Sequence, residues 1–211
     1  MPDRFFITGT DTGVGKTMVS ALLCAALDAI YWKPIQTGTR EGTDRETVMR
    51  LAQLPLNRAI PETYRFAPPV SPHLAARRAG VRIDLRKIRI PRLPAREGLI
   101  VEGAGGALVP INDAQFMTDL MQHLKLPVLL VARASLGTIN HTLLSLAALR
   151  SAHLKVPGVI MVGKPNTENR KAIEQYGHVQ VVGTVPWLKK ADRTILLDVF
   201  RKHFDRRAFH A

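Results

Sequence analysis

The stretch RFFITGTDTGVGKT, residues 4–17, passes from an apolar strand-like run through a glycine-rich turn into a helix-like segment. Gly9, Gly13 and Gly15 free the backbone to turn its N–H groups inward around an anion. The helix that follows adds the partial positive charge of its N-terminus. Lys16 can reach β- and γ-phosphate oxygens, and the Thr17 hydroxyl can ligate Mg²⁺. Gly13, Val14, Gly15, Lys16 and Thr17 are therefore expected to hold a nucleoside triphosphate. The loop is a variant, however. The usual pattern sets its first glycine four residues before Gly-Lys, where Thr10 stands, so Gly9 comes one residue early.

Outward from this loop, short apolar runs alternate with amphipathic segments. Strands are expected at Arg4–Thr8, Ile30–Lys33, Leu99–Glu102, Pro127–Ala132, Gly158–Val162 and Val179–Thr184. Several are apolar almost throughout, as strands buried on both faces are. Helices are expected at Lys16–Ala29, Asp44–Leu54, Phe116–Leu124, Thr138–His153, Thr167–Tyr176 and Thr194–Phe204. This alternation implies an α/β fold: a three-layer, open, mostly parallel sheet with helices on both faces, of the P-loop NTPase type. A single domain is expected over 1–211, with an irregular, proline-rich insertion around 55–96 that carries short helices.

Leu99-Ile100-Val101-Glu102 is an apolar run that ends in a carboxylate, followed at once by Gly103-Ala104-Gly105-Gly106. Ligands of open α/β sheets gather at the carboxyl ends of strands, so Glu102 is expected to face the same metal and phosphates as Thr17.

Composition narrows the class further. The chain has 211 residues, 30 Lys plus Arg against 17 Asp plus Glu (net charge +13), and 46% hydrophobic residues, enough for a sizeable core. A single cysteine, Cys24, leaves no internal disulfide and no Cys-rich zinc site. No apolar stretch approaches the ~20 residues that span a bilayer. MPDRFFITGT lacks the apolar region and cleavage site of a signal peptide, so a cytoplasmic setting is expected. The basic excess concentrates between Arg77 and Arg96 and again between Lys189 and Arg207. Few aromatics are interleaved with it, which argues against a nucleic-acid partner and for solvated surface whose field favours anionic ligands.

The blocks TGTDTGVGKT (8–17), WKPIQTG (32–38), SPH (71–73), VEGAGG (101–106), LGTINH (136–141) and VPWL (185–188) together resemble dethiobiotin synthetases, in that family's order over most of the chain. The phosphate loop alone is shared with many NTPases; its combination with KP, TG and VEGAGG is specific. The resemblance implies an ATP-dependent cyclo-ligase that converts 7,8-diaminononanoate and CO₂ to dethiobiotin in biotin biosynthesis. The route implied runs through a carbamate and a carbamic–phosphoric anhydride.

By the same resemblance Lys33 and Lys16 are catalytic, and Thr17, Asp44 and Glu102 hold Mg²⁺. Thr37, Glu102, Gly103 and Gly105 line the substrate site. Gly137, Thr138, Ile139 and Asn140 hold the substrate's tail carboxylate from the partner subunit of a homodimer. Val185, Pro186 and Trp187 lie on the base side of ATP. His73 and His141 fall in matching motifs but are assigned no proton transfer.

The sequence departs from the family in two places. Many relatives carry an acidic residue where Gly13 stands. The family's adenine-reading Asn follows the strand that here reads GVIMVGKPNTEN (158–169), and Val162 and Gly163 occupy its place, with Asn166 late. Nucleotide discrimination is therefore expected to be weak. The alternatives are a regulatory P-loop ATPase of the partition type, acting on DNA or another anionic partner, and a small-molecule kinase that stops at phosphoryl transfer. The first is opposed by VEGAGG and the KP lysine.

Overall fold

The computed structural model describes residues 3–209. Its strands are β1 (Arg4–Gly9), β2 (Ala29–Trp32), β3 (Ile35–Thr37), β4 (Ala59–Ile60), β5 (Tyr64–Phe66), β6 (Gly98–Gly106), β7 (Val128–Arg133), β8 (Gly158–Val162) and β9 (Val181–Val185). Its helices are α1 (Lys16–Ala26), α2 (Asp44–Ala52), α3 (Pro72–Arg78), α4 (Met117–Leu124), α5 (Thr138–Ser151), α6 (Thr167–Gly177) and α7 (Arg193–His203). Seven strands form one parallel sheet in the order β4-β2-β6-β1-β7-β8-β9, and β3 pairs with β5 in a small second sheet.

The layers follow from strand alternation. Along β1, Phe5 and Ile7 face α1, α2 and α7, while Phe6 faces the opposite side with α4, α5 and α6. The two apolar clusters so formed, one on each face, make this the three-layer parallel α/β fold that the alternating pattern implies. At the far edge Phe200, Phe204 and Phe209 pack ring on ring, and Phe5 meets Phe209 edge-on at 5.8 Å between centroids.

Some boundaries differ from the sequence expectation for local reasons. Helix α1 ends at Ala26, not Ala29, because Asp28 takes a left-handed φ of 48° and turns the chain straight into β2. Strand β6 runs on through the glycines to Gly106, where it meets Gly9 of β1. The stretch 55–96 holds more than short helices. It supplies β4, the edge of the main sheet, as well as β5 and α3, and it pins Ile83, Leu85 and Ile88 into the core on the α4–α6 face. Strands of two and three residues carry too few side chains to show a period, which is why β3, β4 and β5 are silent in the sequence.

Candidate active site

The register of the sheet builds the site. Strand β6 lies between β1 and β2, and Trp32 of β2 is level with Val101 of β6. One residue further on, Lys33, directly after β2, and Glu102, midway along β6, come side by side on the face that packs against α1. Neither sequence neighbourhood implies the other; the sheet order joins them. Glu102 is 1% exposed, and Lys33 is nearly as buried.

Four groups meet there. Thr17 Oγ1 lies 2.8 Å from Asp44 Oδ1 and 2.9 Å from Glu102 Oε1. The Lys33 ammonium pairs with Asp44 and stands 3.4 Å from Glu102 Oε1. Burial opposes the charge on Lys33, but the Glu102 and Asp44 carboxylates more than offset it and hold the ammonium above its ordinary pKa. Burial likewise opposes the Asp44 carboxylate, and Lys33 outweighs it, so Asp44 is held below the usual range. Lys16 is different. Burial draws its pKa down to about 8, with Glu102 pulling the other way, and its Nζ donates to the Asp11 carbonyl at 2.9 Å.

One hydroxyl and two carboxylates within hydrogen-bond distance form a hard-oxygen donor set. It suits Mg²⁺, which takes one or two protein carboxylates and fills its other positions with water and phosphate. The single Thr17 proton can bond only one of the two carboxylates at a time, and the Lys33 ammonium supplies the further donors to them in this structure. No group of three His, Cys, Asp or Glu among the described residues could hold a metal ion alone, so nucleotide oxygens are needed to complete such a shell.

The phosphate loop is shaped as its glycines require. Gly15 caps α1 at φ 102°, and a Cβ there would lie 2.9 Å from a methyl carbon of Val162. Asp11 ties the loop down: one carboxylate oxygen accepts from the Thr12 N–H at 2.6 Å, and the other pairs with Arg133 of β7 at 3.1 Å. Lys16, Thr17, Lys33, Thr37, Asp44, Glu102 and Gly105 all line one cleft of about 720 Å³, walled on its far side by Ser71 and Pro72. A second hollow of about 350 Å³ opens on the other side of Gly13 and Gly15, between Val14, Val162, Gly163 and Trp187. Phosphates seated over the loop would send the reacting end into the first cleft and the nucleoside into the second.

Some expected residues lie elsewhere. Gly103 is one step from Glu102 and so faces the opposite side of the sheet, where a Cβ would sit 2.8 Å from the Phe6 ring. It lines no part of the cleft. Val185 is buried, and its carbonyl accepts from the Gly163 N–H at 2.9 Å; of Val185, Pro186 and Trp187, only Trp187, 79% exposed, borders the nucleoside hollow. Asn166 is spent as the cap of α6, accepting from the Asn169 N–H at 2.9 Å. Gly137, Thr138, Ile139 and Asn140 open α5 outside this chain's own cleft. His73 Nδ1 lies 3.1 Å from the Ser71 hydroxyl.

Three residues that were assigned no role from the sequence turn out to support the site. Gln36, buried on β3, accepts from the Asp44 N–H at 3.2 Å and donates to the Thr37 carbonyl at 2.7 Å. Thr43 caps α2 in a reciprocal capping box with Glu46, which fixes Asp44 in the first helical position. Tyr31 donates to Glu102 Oε2 at 2.9 Å. The capping box was legible as T-x-x-E; the other two depend on strand pairing.

A family model described as an AAA domain matches residues 3–194. A protein of Brucella melitensis biotype 2 named ATP-dependent dethiobiotin synthetase BioD is 47% identical over 206 residues, covering 97% of this chain and 95% of its own length. Among solved structures, the MinC:MinD cell division protein complex of Aquifex aeolicus superimposes with a TM-score of 0.54 at 14% identity, covering 89% of this chain and 83% of that one. Chloroplast FtsY from Physcomitrella patens gives 0.51 at 16%, covering 99% of this chain and 64% of that one. At such identities the structures share the fold alone.

Proposed function

The chain belongs to the dethiobiotin synthetase family, and we propose that its larger cleft closes the cyclic urea of dethiobiotin from 7,8-diaminononanoate, CO₂ and ATP. The observation that carries this reading is the buried meeting of Lys33 with Asp44, Glu102 and Thr17 beside the phosphate loop. An ammonium fixed in a low-dielectric site is suited to charge that gathers on a carbamate and a transferring phosphoryl group.

One substrate amine adds its lone pair to CO₂, forming a C–N bond and losing a proton to give a carbamate. A carbamate oxygen then bonds to the γ-phosphorus as the bond to ADP breaks. The second amine attacks the carbamoyl carbon, phosphate leaves with its bonding pair, and the urea ring closes. Lys33 faces the negative charge of the first two species. Lys16 exchanges the Asp11 carbonyl for phosphate oxygens. Thr17, Asp44 and Glu102 would hold Mg²⁺, which neutralises charge on the β- and γ-phosphoryl oxygens when bound. Thr37 and Gly105 lie where the diamine would sit, whereas Gly103 has no place in that list.

The start of α5 serves a second copy of the chain in this reading. Leu136 and Leu144 are 103% and 62% exposed on and beside it, and Leu144 with Leu108 borders the outer side of the phosphate loop. Such apolar surface beside a site suits the interface of a homodimer whose Gly137–Asn140 N–H groups reach the partner's substrate. No helix among the described residues is long and apolar enough to cross a membrane, and soluble small substrates suit the cytoplasm. We read 1–211 as one unit, since the stretch 55–96 shares its core with the main sheet.

The test is direct. The protein is incubated with 7,8-diaminononanoate, ¹³C-bicarbonate, Mg²⁺ and ATP, and the product is weighed by mass spectrometry. One ¹³C in a cyclic urea, formed mole for mole with ADP, is expected. ADP with no urea, or a stable phosphate ester, would overturn the reading.

A further inference from the structure

We propose that Tyr31 is the positioning residue that fixes the rotation of the Glu102 carboxylate and thereby sets the affinity of the cleft for Mg²⁺. This rests on the reading of Glu102 as a metal ligand. Tyr31 of β2 stands two residues before Lys33, which follows the strand directly, and both side chains reach Glu102 of the neighbouring strand. Its ring is fully buried, and its hydroxyl donates to Glu102 Oε2 at 2.9 Å.

The two oxygens of Glu102 are thus divided. Oε1 looks toward Thr17 and Lys33, at 2.9 and 3.4 Å, and Oε2 is held from behind by the phenol. A carboxylate can turn about its terminal bond, and a single donor on one oxygen selects which oxygen meets the metal. Water cannot easily replace that donor where Glu102 is 1% exposed. The pairing is the kind that orients a ligand from outside, where losing the partner typically weakens metal binding ~10- to 100-fold.

The experiment uses Mn²⁺ as the probe, with ADP present and free Mn²⁺ read by electron paramagnetic resonance. Parent, Tyr31→Phe and Glu102→Gln proteins are compared, and ADP affinity is measured separately in EDTA. Tyr31→Phe is expected to weaken Mn²⁺ binding ~10- to 100-fold while metal-free ADP affinity stays at the parent value, a split that simple loosening of the fold would not give. Parent-like Mn²⁺ affinity in folded Tyr31→Phe, with Glu102→Gln impaired, overturns the proposal alone. Parent-like affinity in Glu102→Gln overturns the metal reading of Glu102 and this proposal with it. Equal losses of Mn²⁺ and metal-free ADP affinity in Tyr31→Phe make the residue structural and also overturn it.

If Tyr31→Phe does not fold, fluorine NMR of protein carrying 3-fluorotyrosine takes its place. Tyr31 is the signal that remains when Tyr64 and Tyr176 are replaced by Phe. Mg²⁺ added to the ADP-bound protein is expected to shift it, and an unmoved resonance overturns the proposal.

Discussion

Lys16 is near enough to Lys33 for their charges to interact, and the two carboxylate partners of Lys33 are shared with Thr17. Removing its charge therefore affects chemistry more than nucleotide binding, which the loop backbone from Gly9 to Thr17 supports. Lys33→Gln keeps length and polarity, and it is expected to lower kcat ~100- to 1,000-fold, or about 2.7–4 kcal/mol, while ATP affinity changes little. Lys33→Arg should rescue poorly, because a planar fork cannot take the place of a point charge between Asp44 and Glu102. Steady-state turnover beside direct nucleotide binding checks both; near-parent kcat in Lys33→Gln would reduce the residue to a structural counterion.

At the scale of elements, α2 brings Asp44 to the cleft, and its cap decides where the helix starts. The Thr43 hydroxyl accepts from the Glu46 N–H at 3.1 Å, and the Glu46 carboxylate accepts from the Thr43 N–H at 2.7 Å. Thr43→Ala should cost about 1 kcal/mol of stability, seen as a lower denaturant midpoint at unchanged slope. It should also raise the Mg²⁺ concentration for half-maximal turnover, as Asp44 loses its fixed place; a changed midpoint with parent Mg²⁺ dependence would separate the helix from the metal. The connection from β8 into α6 bears on the base. Val162 packs against Gly15, Gly163 turns at φ 128°, Asn166 caps α6, and Asn169 donates to the carbonyl of Ala134 on the rim of the hollow. A base site built on hydrogen bonds rejects the wrong base by leaving its own groups unpaired, and here Val162 and Gly163 stand in the place of the family's Asn. Turnover with ATP, GTP and CTP at equal Mg²⁺ should differ by less than ~100-fold, about 2.7 kcal/mol. A larger preference would assign the reading to Trp187 or to backbone groups.

At the scale of the whole molecule, Leu108 and Leu144 are exposed beside the phosphate loop, and the expected tail-binding segment of α5 lies outside the cleft. Leu144→Glu places a charge on that apolar surface. It should yield folded monomer by sedimentation and raise KM for the diamine while metal-free nucleotide affinity holds; a dimer of parent affinity would move the interface elsewhere. Fold and family were legible in the chain because the phosphate loop, the fully apolar strands and the helical spacings are local patterns, written within a few residues each. The same is true of Lys16 and Thr17. Glu102 was legible as a carboxylate ending an apolar run, Lys33 and Asp44 came from family resemblance, and the contact among the three is not local. It arises because β6 inserts between β1 and β2 in a register that sets Lys33 level with Glu102. Strand alternation then decided which neighbours count. It turned Gly103 into the core against Phe6 and brought Tyr31, unmarked in the sequence, to the back of Glu102. Sequence fixes what each strand is made of, but only the packed sheet fixes which strands touch, since pairing energy between distant segments depends on the burial of the whole.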